Sequence, residues 1–417
     1  MHWCEKFNLP YIPLSIYTVL KCQPDFMEDN MDFKRTGFKT GLFFLITGLY
    51  WFSLYTYVPV LSTYSLSLGA TYKMTGLIIG SYGFAQLLIR IPVGIISDKT
   101  GKRKPVIFAG CISSLVAALL FYRLQVPTGA LAARFISGIG ASAWVVFPVF
   151  FISMFKGDDS AKSIGYISSV MKIGQVAATY VGGLIAFSVG TEYTFLYAGG
   201  AALTALILCL ILKEERVIQR EPLTLKSLFT VLKSKELIRN SLLAVVMQFM
   251  TFATVYGFTP VIAQAIGATE KQLGLLTSLS TLPGIPAAAL SGVFFAKRFS
   301  SRRTVQFGFF IYSISLLFIP FTKNLNVLFL TQIIGGFANG IVFPLLMTGS
   351  VNEIPDDKKG SAMGFFQAVY GLGMLAGPFI TGLFSDVGAM TFGLVFTACL
   401  GFLGVISFKI KIKNSGS

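Results

Sequence analysis

Three cations lie deep within long apolar stretches of the chain, namely Arg90, Arg134 and Lys172. None of the eighteen acidic residues does so, since Glu192, Glu353 and Asp386 all fall near the ends of such stretches. A charge in hydrocarbon is costly unless it meets water or a partner. Three such cations therefore mark a polar path, and the chemistry open to them is attraction of an anion or an electronegative group. Lys172 stands halfway along its stretch, with Gln175 and Thr179 one and two turns further on the same helical face. From there a lysine reaches either surface poorly, so a substrate cavity is expected at Lys172. Arg134, about six residues inside the outer end of its stretch, is open both to a substrate role and to snorkelling. For Arg90, nearer the cytoplasmic end, conformational coupling, substrate attraction and snorkelling all stay open.

Catalysis lacks materials. His2 is the only histidine, and Cys4, Cys22, Cys111, Cys209 and Cys399 show no paired spacing. Nucleophile, base and zinc-ligand sets thus do not converge, and a nucleotide-binding loop of the Walker type does not appear. An enzyme is not expected, nor a metal, nor any cofactor.

The elements that must position these residues are membrane spans. The chain has 417 residues, 54% of them hydrophobic, 12% charged and 14% aromatic, with a mean hydropathy of +0.72, which does not fit a soluble domain. A hydrocarbon core about 30 Å thick needs about 20 apolar residues per helix. Twelve stretches qualify, from 41–67 at one end to 389–410 at the other. The net charge of +16 is unevenly placed, because the outward connections hold only Lys73, Arg123, Lys271 and Lys323. Cytoplasmic enrichment in Lys and Arg orients membrane proteins. The expected topology is therefore twelve spans with both termini in the cytoplasm, and the charge is an orientation signal rather than a sign of nucleic acid. Residues 1–36 are expected to be a cytoplasmic segment whose true start is Met27 or Met31.

The chain repeats itself. LGATYK at 68–73 matches IGATEK at 266–271, Gly76 matches Gly274, and Gly94 matches Gly292, all at an offset of 198. Phe147-Pro148 then answers Phe343-Pro344, and Gly165, Gly174 and Gly183 answer Gly364, Gly373 and Gly382. The pairs Asp158-Asp159 and Asp356-Asp357 also correspond. Parallel repeats of this kind imply two six-helix bundles about an axis normal to the membrane, with a binding site between them near the midplane. The expected divisions are 37–212 and 240–412 for the bundles, 213–239 for a charged linker and 413–417 for a tail. In the linker, Leu225, Leu228, Phe229 and Leu232 have the spacing of a short helix on the membrane surface.

At the end of the second stretch, Gly94, Asp98, Lys99, Gly101, Lys102 and Arg103 fill every place of a signature, and with it the chain resembles the major facilitator superfamily. Arg134-Phe135-Ile136-Ser137-Gly138-Ile139-Gly140 resembles that family's Arg-led glycine motif. Residues 373–382, GMLAGPFITG, resemble its exporters' glycine-proline motif. Arg90, which begins RIPVG, also resembles exporter-like members. The resemblance implies that Asp98 latches the bundles against the start of span eleven, near Gly360 and Ser361, on the cytoplasmic side. The signature's second-half copy has decayed, with Ala296 in place of Asp and Phe299 in place of the second Gly. By the family pattern, spans one, four, seven and ten line the path, which places Tyr55, Tyr57, Trp144, Gln248, Tyr256, Gln332 and Asn339 as candidate cavity groups. Gly94 and Gly101 permit close approach and a tight turn, and Pro59, Pro148, Pro260, Pro283, Pro286, Pro344 and Pro378 are candidate bends.

These readings combine in an expectation. The chain is an all-α membrane protein of twelve helices that acts as a monomeric secondary transporter in the cell membrane. It moves a small organic anion by alternating access, with a proton or counter-anion as the candidate coupling species. An exporter of lipophilic compounds linked to protons is the alternative, and a non-transporting receptor of the same fold is a third reading.

Overall fold

The computed structural model describes residues 33–154, 160–214, 230–355 and 358–406. The expected linker helix therefore falls largely outside the described residues. So do Asp158-Asp159, Asp356-Asp357, His2, Cys4, Cys22 and the tail. Eleven helices among the described residues are long and apolar enough to cross a membrane. They are α1 (Gly37–Ser67), α2 (Tyr72–Thr100), α3 (Lys104–Arg123), α4 (Pro127–Ser153), α5 (Ile164–Ser188) and α6 (Thr191–Ile211), followed by α7 (Lys235–Ala265), α8 (Glu270–Phe299), α9 (Ser301–Phe321), α10 (Leu325–Val351) and α11 (Lys359–Asp386). The twelfth, α12 (Met390–Ile406), has 17 residues up to the end of the described chain. Leu45, Ile207, Phe318 and Leu403 are exposed on the outside, as helices facing lipid require.

The repeat is visible in the neighbours each helix keeps. In the first bundle α1 packs on α5, α2 on α4, and α3 on α4 and α6. In the second, α7 packs on α11, α8 on α10, and α9 on α10 and α12. The two most extensive contacts between the bundles, α2 with α11 and α5 with α8, are also exchanged by the same pseudo-twofold. We call the membrane face carrying the α2–α3 connection, with its lysines, the basic face, and the opposite one the far face.

Three helices depart from α geometry at an aromatic residue four positions before a proline. Tyr55 ends the first α segment of α1 ahead of Pro59, Trp144 lies in a 3₁₀ stretch of α4 ahead of Pro148, and Tyr256 lies in a π stretch of α7 ahead of Pro260. Proline has no N–H for the carbonyl four residues back, so the helix must re-pair locally. The Trp144 carbonyl, for example, accepts from the Phe147 amide instead. Each of these three turns presents an aromatic side chain toward the space between the bundles.

That space is closed toward the far face by small residues. An added Cβ on Gly183 (α5) would meet Gly274 Cα (α8) at 2.6 Å, and one on Gly80 (α2) would meet the Leu375 carbonyl (α11) at 2.7 Å. Glycine here lets two backbones touch. Thr179 and Ser278 share a hydrogen bond of 2.8 Å across the α5–α8 contact. One turn past Arg90, in contrast, a Cβ on Gly94 would meet nothing within 4 Å. The close approach expected at Gly94 is absent in this conformation because α2 and α11 have diverged. Gly183→Leu is expected to hold the far-face seam apart while leaving each bundle folded. In a background without native cysteines, a Ser278→Cys thiol should then react with an impermeant thiol reagent at least tenfold faster than in the parent, by order of magnitude. Equal labelling would show that the seam does not close the path.

Candidate functional site

A cavity of about 1490 Å³ runs from the middle of the protein to the basic face. Its deep wall carries Lys172, Gln175, Tyr55, Trp144, Tyr256 and Asn339, and Gln248 joins them. Nearer the basic face it is bordered by Gly94, Asp98 and Arg103 on one side and by Lys358, Gly360 and Ser361 on the other. The candidate residues from spans one, four, five, seven and ten thus come together. Gln332 and Tyr57 do not. Gln332 is buried within the second bundle, with its amide nitrogen 3.2 Å from Thr331 Oγ1.

The three cations find three different environments. Arg90, only 5% exposed, sits where α2 and α11 begin to separate. Its guanidinium donates to Gln86 Oε1 on its own helix, to the Tyr370 hydroxyl and, at 3.2 Å, to the Gln367 carbonyl on α11. It also lies 5.2 Å from the centre of the Tyr370 ring. Of the roles open to Arg90, snorkelling does not occur here, because the side chain turns into the junction and spans both bundles.

Arg134 requires a correction. It was a candidate cavity cation, yet it does not border the cavity. It lies behind the wall at 2% exposure, 4.1 Å from the Tyr82 ring centre and 5.7 Å from that of Tyr57. Its Nε and Nη1 have no hydrogen-bond partner among the described residues. Two electron-rich ring faces substitute for a counterion, and Tyr82 itself borders the cavity.

Lys172 does border the cavity. It is half-buried and makes no hydrogen bond or ion pair to the described residues. Gln175, one turn on, is 4% exposed, and its Oε1 is unpaired. Thr179, two turns on, turns into the far-face seam instead. Among the described wall residues, Asp98 is the only carboxylate, against Arg90, Arg103, Lys172 and Lys358. Aromatic rings form a strip along the same cavity as Lys172. Trp51 lies 5.6 Å from Tyr55 and 5.3 Å from Trp144, and Tyr55 meets Tyr256 edge-on at 5.9 Å.

The signature residues divide by exposure. Lys99 and Lys102 are exposed to the basic side, as cations at an anionic leaflet would be. Gly101 closes α2 in the left-handed region at φ +64°, its amide donating to the Ser97 carbonyl at 2.9 Å. Arg103 is 1% exposed. Burial lowers its affinity for the proton from the ordinary value, while the charges of Asp98 and Glu214 oppose that shift. Glu214, at the end of the first bundle, accepts from the backbone amides of Arg103 and, at 3.2 Å, Lys104. Lys104 Nζ in turn donates to the Leu210 carbonyl at 3.0 Å. A carboxylate at the start of α3 and an ammonium at the end of α6 each oppose the exposed helix pole.

Trp51, Gln86, Gln367, Tyr370 and Glu214 were not anticipated. Tyr370 lies 280 residues from Arg90, so no local spacing could have paired them. Trp51 was within reach, four residues before Tyr55 and therefore on its helical face.

A blind cavity between two pseudo-symmetric bundles, open to one side of the membrane and sealed from the other, is the architecture of a carrier. The chain belongs to the Major Facilitator Superfamily, whose sequence profile matches residues 43–264 and 241–415. It is similar to an uncharacterized MFS-type transporter of Methanocaldococcus jannaschii, with 26% identity over 84% of this chain and 92% of the relative. It is likewise similar to the quinolone resistance protein NorA of Staphylococcus aureus, with 26% identity over 79% and 85% of the two chains. The crystal structure of the human organic anion transporter MFSD10 has the same fold, with a TM-score of 0.65, 17% identity and coverage of 89% of this chain and 99% of that one. This is a multi-pass membrane protein and a secondary transporter.

Arg90→Ala removes the bridge between α2 and α11. Hydrogen bonds to charged groups contribute about 1.5–3 kcal/mol, so the form open to the basic face should lose about 10- to 100-fold in population. Spin labels on cysteines at Lys99 and Lys359 should report a shift toward shorter distances. An unchanged distribution would mean that Arg90 does not set the balance.

Proposed function

We propose that the protein transports a small organic anion across the cell membrane, with both termini and the basic face in the cytoplasm. The observation that carries this reading is Lys172, a cation in the cavity wall with no counterion among the described residues. An anion entering the cavity would supply it. Arg90, Arg103 and Lys358 add positive potential along the route, and clefts of one sign concentrate ligands of the other. The aromatic strip gives an organic body a surface in the same cavity as that charge. A fold shared with an organic anion transporter is in keeping with this substrate class. With a negative interior, exporting an anion gains about 2.3 kcal/mol per charge per 100 mV.

The two bundles rock about the site. In the conformation closed to the cytoplasm, Asp98 accepts from backbone amides at the start of α11, near Gly360 and Ser361, where the helix dipole favours an anion. Support comes from the cavity mouth, where these three residues border the same opening. The protein works as a monomer in the lipid bilayer, binds no nucleic acid and performs no catalysis.

A second reading, proton-linked efflux of lipophilic compounds, has the aromatic strip and the similarity to NorA in its favour. Flux in reconstituted vesicles separates the two. Lys172→Ala should reduce transport of an organic anion by about 100-fold, as loss of a charge pair in a poorly solvated site requires. Export of a lipophilic cation that survives this change, with no anion flux in the parent, would select the second reading. Asp98→Asn should slow transport at least tenfold, by order of magnitude, with a monodisperse elution profile. Undiminished flux would remove the latch.

A further inference from the structure

A cation that lacks a counterion constrains the transport cycle as well as the substrate. In the open conformation water in the cavity solvates Lys172. To reach the opposite conformation the cavity must shut on both sides, and that water is largely lost. Arg90 has acceptors on Tyr370 and Gln367 of α11 and one, Gln86, on its own helix that moves with it, and Arg134 lies over the rings of Tyr57 and Tyr82 within its own bundle. Lys172 has neither arrangement. The wall carboxylate, Asp98, lies two turns beyond Arg90 toward the basic face, while Lys172 lies two turns from the far-face hydrogen bond of Thr179. The carboxylate belongs to the mouth and the lysine to the deep wall.

We propose, building on the anion reading above, that the protein is an obligate exchanger: the cavity closes around Lys172 when an organic anion is paired with it, and the empty carrier does not return. One anion must leave for each that enters. Exchange of anions of equal charge moves no net charge, so membrane potential does not drive it, whereas it does drive net movement of an anion. The empty return would shut a lone ammonium away from water, the penalty that paired binding relieves.

The full-length protein is reconstituted in vesicles loaded with radiolabelled 1-naphthalenesulfonate. This probe is aromatic and remains anionic at any working pH, so it neither leaks as a neutral acid nor carries a proton. Efflux is followed into medium with the unlabelled sulfonate and into medium free of organic anions, with the potential clamped to zero. Exchange should exceed net efflux by about 100-fold, which converts to about 2.7 kcal/mol at 1.36 kcal/mol per decade. Lys172→Gln should slow exchange yet bring the ratio close to one, because its neutral cavity can close empty. Lys172→Arg keeps the charge and should keep the ratio high, whatever its absolute rate. Net efflux from the parent as fast as exchange would overturn the proposal and leave the anion reading intact. So would net efflux accompanied by proton movement, which would mean that Lys172 discharges on the empty return. Absence of protein-dependent sulfonate flux in both media would remove the anion reading and the exchange with it.

Discussion

Positive charge buried without carboxylates is the constraint around which this structure is arranged. Three cations in the hydrocarbon layer must each be stabilised, and among the described residues none is paired with an acid inside the membrane. Arg90 is held by neutral acceptors drawn from both bundles. Arg134 is held by the faces of Tyr57 and Tyr82. Lys172 alone is left to the cavity. The first arrangement depends on the relative position of the bundles, the second does not, and the third depends on what fills the cavity. The same type of charge thereby becomes a junction, a fixed internal post and a cation open to the cavity.

The path between those cations is controlled by how closely helix backbones approach. Along the far half of α2 and α11, and of α5 and α8, glycine allows contacts that a single methyl group would block. At Gly94 the same sequence device has open space beside it. A glycine seam can separate without unfilling a packed hydrophobic interface, which keeps the difference between closed and open arrangements small. The aromatic turns before Pro59, Pro148 and Pro260 are fixed differently, by a missing backbone donor, and they hold rings in place while the seams move.

Much of this was legible in the sequence because it is periodic or chemically forced. Twelve apolar stretches, the offset of 198 residues and the lone cations define two bundles and a polar centre. Lys172, Gln175, Tyr55, Trp144, Tyr256 and Asn339 all border the cavity. What the sequence withheld were the facts set by tertiary rotation. Arg134 and Lys172 both read as buried cations, yet one turns behind Tyr82 and the other into the opening. Arg90 read as near the membrane surface, where snorkelling is available to a free side chain. Its actual partners stand on α11, and only the packing of the two bundles brings them to it. Glu214 could not be placed either, since its role as a cap for α3 depends on where α6 ends relative to α3.

The decay of the second signature has a structural counterpart. In the first half, Gly101 takes the left-handed conformation at the end of α2 and Glu214 fixes the start of the next helix. In the second, Phe299 occupies the glycine's place, and the positive φ of 68° shifts to Ser300, a residue for which that conformation is strained. Helix α8 reaches this turn through a π stretch, Ser291–Ala296, and Val293 and Phe294 remain exposed. Ala296 offers no charge to a facing helix start. Two halves with the same helix neighbours therefore differ at the basic face, where, among the described residues, only the first brings a carboxylate to the cavity mouth. If Asp98 closes the mouth as proposed above, the closure is directional, because α2 brings a carboxylate to the mouth it shares with the start of α11, whereas α8 carries Ala296 at the matching place.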